Sequence, residues 1–225
     1  MADDTIRPAA GIADPAPLGL GAFALTTFVL SAHNAGWAPD LVWLGPALFY
    51  GGLAQFLAGM WEFRNRNTFG STAFTTYGAF WLSLAAFVVL DLFGKVPKDV
   101  NVAHALGWFL LAFAIFNTYM LLWSATVNGA VFGVFLTLEI TEILLFIGFF
   151  AGQAAGEGLV RIGGLVGVLT ALVAWYTSAA GVANAMAERP VIPVGPPIWS
   201  MSGGLTRPGS PMPRIEATSG PSRTS

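Results

Sequence analysis

From Pro17 to Ala187 the chain alternates between long apolar runs and short polar breaks, with none of the two-residue alternation that marks a half-buried strand. A bilayer core of about 30 Å needs roughly 20 mostly apolar helical residues. Applied along the chain, that rule predicts six spans, at Pro17–Asn34, Leu41–Phe63, Phe69–Phe93, Ala103–Thr126, Ala130–Gly152 and Leu159–Ala187. The breaks between them, GWAPD, RNRNT, GKVPKDVN, VNG and QAAGEG, are too short to hold an extramembrane domain. The expected fold is therefore an all-α integral membrane protein, a six-transmembrane-helix bundle. Residues 1–13 read as a flexible N-terminal arm, 14–197 as the transmembrane domain, and 198–225 as a tail too rich in Pro, Gly and Ser to fold.

Composition agrees with that pattern. Of 225 residues, 55% are hydrophobic and 10% charged, against about 25% charged in soluble domains, and the mean hydropathy is +0.68. A net charge of −2 with no basic run gives nucleic acid no footprint. The absence of cysteine excludes disulfides, thiolate metal sites and cysteine nucleophiles. Two distant histidines, His33 and His104, make no metal site, and no hydrolase, zinc-protease or nucleotide-binding signature occurs. Neither an enzyme nor a cofactor is expected. With the N-terminus inside, the membrane-flanking cations are Arg7, Arg64, Arg66 and Arg189 on the inner side against Lys95, Lys98 and Arg161 outside. This bias puts both termini in the cytoplasm of a cell-membrane protein.

Small residues are dense. Gly51-Gly52 and GGLVG at Gly163–Gly167 suit close helix approach, either within the bundle or between subunits. GLGAFALTTF (Gly19–Phe28) and GSTAFTTYGAF (Gly70–Phe80) form a faint internal echo of the kind seen between equivalent helices of transporters.

Ionisable groups at membrane depth are costly and usually face an interior or a water path. The fifth span carries Glu139 and Glu142; Leu138, Thr141, Glu142 and Leu145 share one stripe of that helix. The stripe suits a pore wall or a proton relay. It also suits a glutamate bonded to a neighbouring helix while the other reaches a subunit interface. Gln55 and Asn117 are mid-span polar groups that either join such a path or are each satisfied across a helix pair. Glu62 is expected to pair with Arg64 and Arg66 at the membrane surface, and Asp91 to lie hydrated at the far end of its span. His33-Asn34 reads as a helix stop. Thr26, Thr27, Thr75 and Thr76 can bond back to their own helices. The eight tryptophans are expected near span ends or packing faces.

The stretch DPAPLGL at Asp14–Leu20 resembles the Asn-Pro-Ala-Pro-Leu-Gly-Leu signature of the acetate uptake transporter family, also called succinate-acetate permeases. The likeness continues through FYGGLAQFLAGMWEFRNRNTFGSTAFTTYGAFW (Phe49–Trp81), AWYTSAAGVAN and RPVIPVGP, and so covers Asp14 to Pro197. It implies a six-helix protomer in a homo-hexamer, carrying acetate and related short carboxylates, some members succinate, in a proton-linked or channel-like manner. It also implies a hydrophobic constriction of a Phe, a Tyr and a Leu, which motif alignment assigns to Phe23, Tyr77 and Leu138. The signature, Asp14, Pro15, Ala16, Pro17, Leu18, Gly19 and Leu20, would then stand at the path's entrance, with Gln55, Glu139, Thr141, Glu142 and Asn117 as a polar or proton path. A urea or short-amide channel of the same six-helix, hexameric design is the alternative. Asp14 departs from the family's Asn; it is expected to cap the first helix, with Pro15 as its first residue, and to repel an anion at the entrance.

Overall fold

The computed structural model describes residues 12–199; all but the first two residues of the expected tail, and all but the last two of the expected arm, lie outside the described residues. Among the described residues, five helices are long and apolar enough to cross a membrane: α1 (Ala16–Asn34), α4 (Thr68–Leu92), α5 (Val102–Ser124), α6 (Gly129–Phe150) and α7 (Gly158–Ala187). Their ends fall within two residues of those expected. Asn67, Asn101 and Asn128 set three of the starts, each accepting a hydrogen bond from the backbone N–H three residues on, at 2.9–3.0 Å. Asp14 departs slightly from its expected role. The N-cap is Pro15, and Asp14 Oδ1 instead accepts from the N–H of Ala16 at 3.0 Å.

The second expected span is not one regular helix. It is built of α2 (Leu44–Leu48), a π-helical segment (Phe49–Ala54) and α3 (Gln55–Arg64). The cause lies on α1. Thr26 Oγ1 accepts the N–H of Gly51 at 3.0 Å and donates to its own Ala22 carbonyl at 2.9 Å. A rung of the second span's ladder is thus supplied by another helix, and the turn widens around it. Only glycine fits there: a Cβ on Gly51 would lie 2.5 Å from Thr26 Oγ1, and one on Gly52 would collide with the Ala47 carbonyl.

Helix α1 packs on α7, α7 on α6, α6 on α5, and α3 on α4. The GGLVG run serves packing within the chain. A Cβ on Gly164 would stand 2.7 Å from the Ser31 carbonyl of α1, and one on Gly163 2.9 Å from the Leu145 side chain of α6. After α7 the chain folds back: Asn184 Oδ1 accepts from Val191 and Ile192, and the N–H of Ala130 donates to the Val194 carbonyl at 2.8 Å. The RPVIPVGP segment is thereby tied over the start of α6.

Candidate functional site

Helices α1, α4 and α6, with the start of α5, line a cavity of about 290 Å³. Its lining begins at Phe23, Tyr77 and Leu138, each at least nine-tenths buried, and continues only toward the C-terminal ends of these helices. One turn further back, Leu20, Phe74 and Phe135 are packed core. Phe23 and Tyr77 meet edge to face with ring centroids 5.7 Å apart. The three residues assigned to the constriction are therefore together, and they close one end of the cavity with two rings and an isobutyl group. At the other end stand His33, Asp40 and Asp91, with His33 Nε2 3.5 Å from Asp40 Oδ1. His33 and Asn34 end α1, and Asn34 also lines this cavity.

The residues of the expected polar path divide into two groups. Thr141 and Glu142 line the cavity. Thr141 Oγ1 is already engaged, by the Thr137 carbonyl at 2.8 Å and Thr170 Oγ1 at 3.2 Å. Asn117 and Glu139 are not in the lining, but they continue it sideways. Tyr77 Oη lies 2.9 Å from Asn117 Oδ1 and 3.3 Å from Glu142 Oε1. Asn117 Nδ2 donates to the Phe135 carbonyl at 3.0 Å and to Glu139 Oε2 at 2.7 Å, while Thr118 Oγ1 donates to Glu139 Oε1 at 2.7 Å. A chain of polar groups thus runs from the cavity, through the constriction tyrosine, to the outer face of α5 and α6, where Thr118 is exposed and Glu139 partly so.

Donor counting limits how this chain can be occupied. The two bonds from Asn117 Nδ2 turn its Oδ1 toward Tyr77. The phenol has one hydrogen and faces two acceptors. Both contacts of Tyr77 are satisfied together only when Glu142 carries a proton and donates it to the phenol oxygen. A proton arriving at or leaving Glu142 therefore changes the bonding of a residue that closes the cavity.

Gln55 stands apart. It is buried, starts α3, and is not in the cavity lining; its Oε1 has no partner. Glu62 differs from the surface ion pair expected of it. Its side chain turns inward, fully buried, and accepts from Asn65 Nδ2 at 3.1 Å, while Arg64 and Arg66 stay exposed. The missing side chain of Gly70 leaves the room: a Cβ there would lie 2.8 Å from Glu62 Oε1. Of the signature, Gly19 lies flat against the Phe74 ring and Pro17 accepts from Ser178 Oγ at 2.6 Å. Pro15, Gly19 and Leu20 are buried at the start of α1, Asp14 and Leu18 are exposed, and no residue from Asp14 to Leu20 is in the cavity lining.

Among the lining residues that the sequence reading did not place in the path, two carry unpartnered polar atoms. Trp81 is buried in the middle of α4 rather than at a span end, and its indole N–H has no partner. Thr27, unlike its neighbour Thr26, makes no bond back to its helix. Their distance of four residues from Phe23 and Tyr77 was the available signal.

Residues 4–196 match the family model described as the GPR1/FUN34/yaaH family. Among curated proteins, the chain is 46% identical over 185 residues to "Accumulation of dyads protein 2" of Saccharomyces cerevisiae, covering 79% of this chain and 64% of that one. It thus spans under two thirds of that relative's length. It is 39% identical to the "Succinate-acetate/proton symporter SatP" of Escherichia coli, covering 82% of this chain and 96% of the other. The solved "Structure of the bacterial acetate channel SatP" superposes with a TM-score of 0.76 at 38% identity, covering 82% of this chain and 99% of that one.

Proposed function

The chain belongs to the GPR1/FUN34/yaaH family, and from that premise we propose that it carries acetate and related short carboxylates, succinate among them, across a membrane in a proton-linked manner. The observation that carries the reading is the cavity between α1, α4 and α6, closed by Phe23, Tyr77 and Leu138. In this reading the path runs through a single chain, and the second span crosses as a sixth, π-broken helix. Both termini are cytoplasmic, so the mouth with His33, Asp40 and Asp91 faces outward and Asp14 lies at the inner entrance. The chains assemble as hexamers. The Thr118–Glu139 face supports assembly, because a partly exposed carboxylate halfway along a spanning helix is costly against lipid and is better covered by another copy or by water.

An apolar ring suits a weak acid. A bare carboxylate loses much of its hydration in passing phenyl and isobutyl groups, whereas the protonated acid loses little. Tyr77 adds a hydroxyl within the ring, and Glu142 beside it can hold the proton that the acid brings or leaves. Substrate size is set by the gap between Phe23, Tyr77 and Leu138, and proton linkage by Glu142, Tyr77 and Asn117.

The test is labelled acetate uptake into proteoliposomes under an imposed pH gradient, with succinate and urea as competitors. Uptake accelerated by an acidic outside and inhibited by succinate is expected. Uptake indifferent to the gradient would remove the proton linkage, and competition by urea without acetate flux would favour the short-amide channel.

A further inference from the structure

Polar side chains bonded in series have a direction, set by the end that can only accept. In the series that leaves the cavity sideways, that end is Glu139. Its Oε2 accepts from Asn117 Nδ2 and its Oε1 from Thr118 Oγ1, both at 2.7 Å, the shortest bonds of the series. A carboxylate has no hydrogen to give. The fully buried amide of Asn117 must therefore present its nitrogen to Glu139 and its oxygen to the Tyr77 hydroxyl, 2.9 Å away. The single phenol hydrogen is then committed to Asn117, and a lone pair faces Glu142 at 3.3 Å. Only one role toward Tyr77 remains for Glu142, that of donor.

The series begins and ends on one helix. Three residues apart, Glu139 and Glu142 leave α6 about 60° from each other, and Asn117 of α5 and Tyr77 of α4 close the loop between them. Glu142 lines the cavity; Glu139 does not, and is partly exposed beside Thr118. The Phe135 carbonyl, 3.0 Å from Asn117 Nδ2, supports the same amide orientation as a neutral acceptor. The Glu139 bond is shorter and charge-assisted, a class about twice as strong. The titratable groups acting on Glu142 are Tyr77 from α4 and Glu139 from its own helix, and Tyr119 of α5 acts on Tyr77. From α1, His33 reaches only the far end of the cavity, with Asp40 and Asp91. Helix α7 carries only Arg161 and Tyr176, both exposed.

We propose that Glu139 is a positioning residue of the proton-linked step, acting from outside the solute path. It fixes the Asn117 amide, which takes the Tyr77 hydrogen and leaves Glu142 as the group that holds and offers the transferable proton. This inference rests on the transport reading above and adds to it the residue that orients its proton site.

Two variants test it, Glu139→Gln and Glu139→Leu. In Glu139→Gln the amide oxygen still accepts from Asn117, and the amide nitrogen can donate to Thr118 Oγ1, whose hydrogen has the Ala114 carbonyl at 2.9 Å. Glu139→Leu removes the acceptor but suits a partly exposed site at membrane depth, so the fold should hold, as checked by the thermal unfolding midpoint in detergent. Two further readouts follow in proteoliposomes: acetate uptake against external pH, and the infrared C=O stretch of protonated Glu142, identified by its loss in Glu142→Gln. Glu139→Leu is expected to shift that band and to cut the acceleration of uptake by an acidic outside about tenfold, the effect of one charge-assisted bond, with KM for acetate unchanged. Glu139→Gln should recover most of both. A band and a pH profile in Glu139→Leu equal to those of the wild type would overturn the proposal, and a lowered midpoint alone would then assign Glu139 to packing. Equal damage in the two variants would also overturn it, because the charge of Glu139 rather than its place as acceptor would then matter. If the band behaves as expected but the wild type moves no acetate, the positioning stands and the transport reading falls.

Discussion

Thr26 and Thr27 are neighbours on α1, both buried, and they serve opposite ends. Thr26 faces the second span, where its hydroxyl is engaged with Ala22, Gly51 and, more distantly, Pro46. Thr27 faces the cavity, where its hydroxyl has no partner. On one side of the helix, polarity inside the bundle is spent on holding a π-turn against α1. On the other it is left available. The same contrast separates Thr141, tied to Thr137 and Thr170, from Glu142 beside it, which keeps a free oxygen. A polar atom at membrane depth therefore reveals its use through its partners rather than through its residue type.

The contrast breaks most severely at the structural side. Gly51→Val places its Cβ 2.5 Å from Thr26 Oγ1 and adds two methyl groups to a helix contact that has no room for the Cβ; the variant should fail to accumulate as folded protein, as judged by size-exclusion profile. Thr26→Val removes the acceptor of the buried Gly51 N–H and should lower stability by about 1–3 kcal/mol, measured by denaturant or thermal unfolding. If it proved as harmless as Thr27→Val, which removes no hydrogen bond, the distinction between the two faces would collapse.

On the cavity side the effects move from stability to transport. Glu142→Gln keeps shape and still offers an N–H to the Tyr77 oxygen, so the fold should hold. It removes the exchangeable proton, and acetate uptake should fall about tenfold with a flattened pH dependence. Unchanged uptake with an unchanged pH profile would separate Glu142 from the transport step. The smallest effect is expected at Asp14→Asn. The amide oxygen can replace the carboxylate that accepts from Ala16, so folding is preserved. Loss of a fixed negative charge from the inner entrance should lower the KM for acetate efflux about twofold at low ionic strength and not at high salt. An unchanged or higher KM would remove Asp14 from the entrance.

Much of this was legible beforehand, for identifiable reasons. The spans and their ends follow from hydropathy and from Asn67, Asn101 and Asn128, which act on their own helices. That Phe23, Tyr77 and Leu138 would meet could be read because long motifs aligned around Phe23 and Tyr77. The π segment could not, because its cause, Thr26, is 25 residues away from Gly51 and looks like any helix-bonding threonine. Glu62 was misjudged for the same reason: the space for it comes from Gly70, on another helix. The internal echo pointed to equivalent helices but in a shifted register. It aligns Phe23 with Phe74, whereas the cavity pairs Phe23 with Tyr77, three residues on. Sequence similarity marked the helices, and only packing fixed which turn of each faces its counterpart.

The central claim is that solute passes between α1, α4 and α6 of one chain rather than along its outside. The chain contains no cysteine, so single thiols can be introduced without background. Leu145→Cys puts one in the lining of the cavity; Ile143→Cys puts one two residues away on the exposed side of α6. The direct measurement is acetate flux before and after treatment with a small water-soluble methanethiosulfonate. The account predicts that Leu145→Cys reacts from one side of the membrane only, is protected by acetate, and loses its flux on reaction, whereas Ile143→Cys keeps its flux. Flux that survives complete modification of Leu145→Cys but is lost on modification of Ile143→Cys would place the path outside the single chain and contradict it.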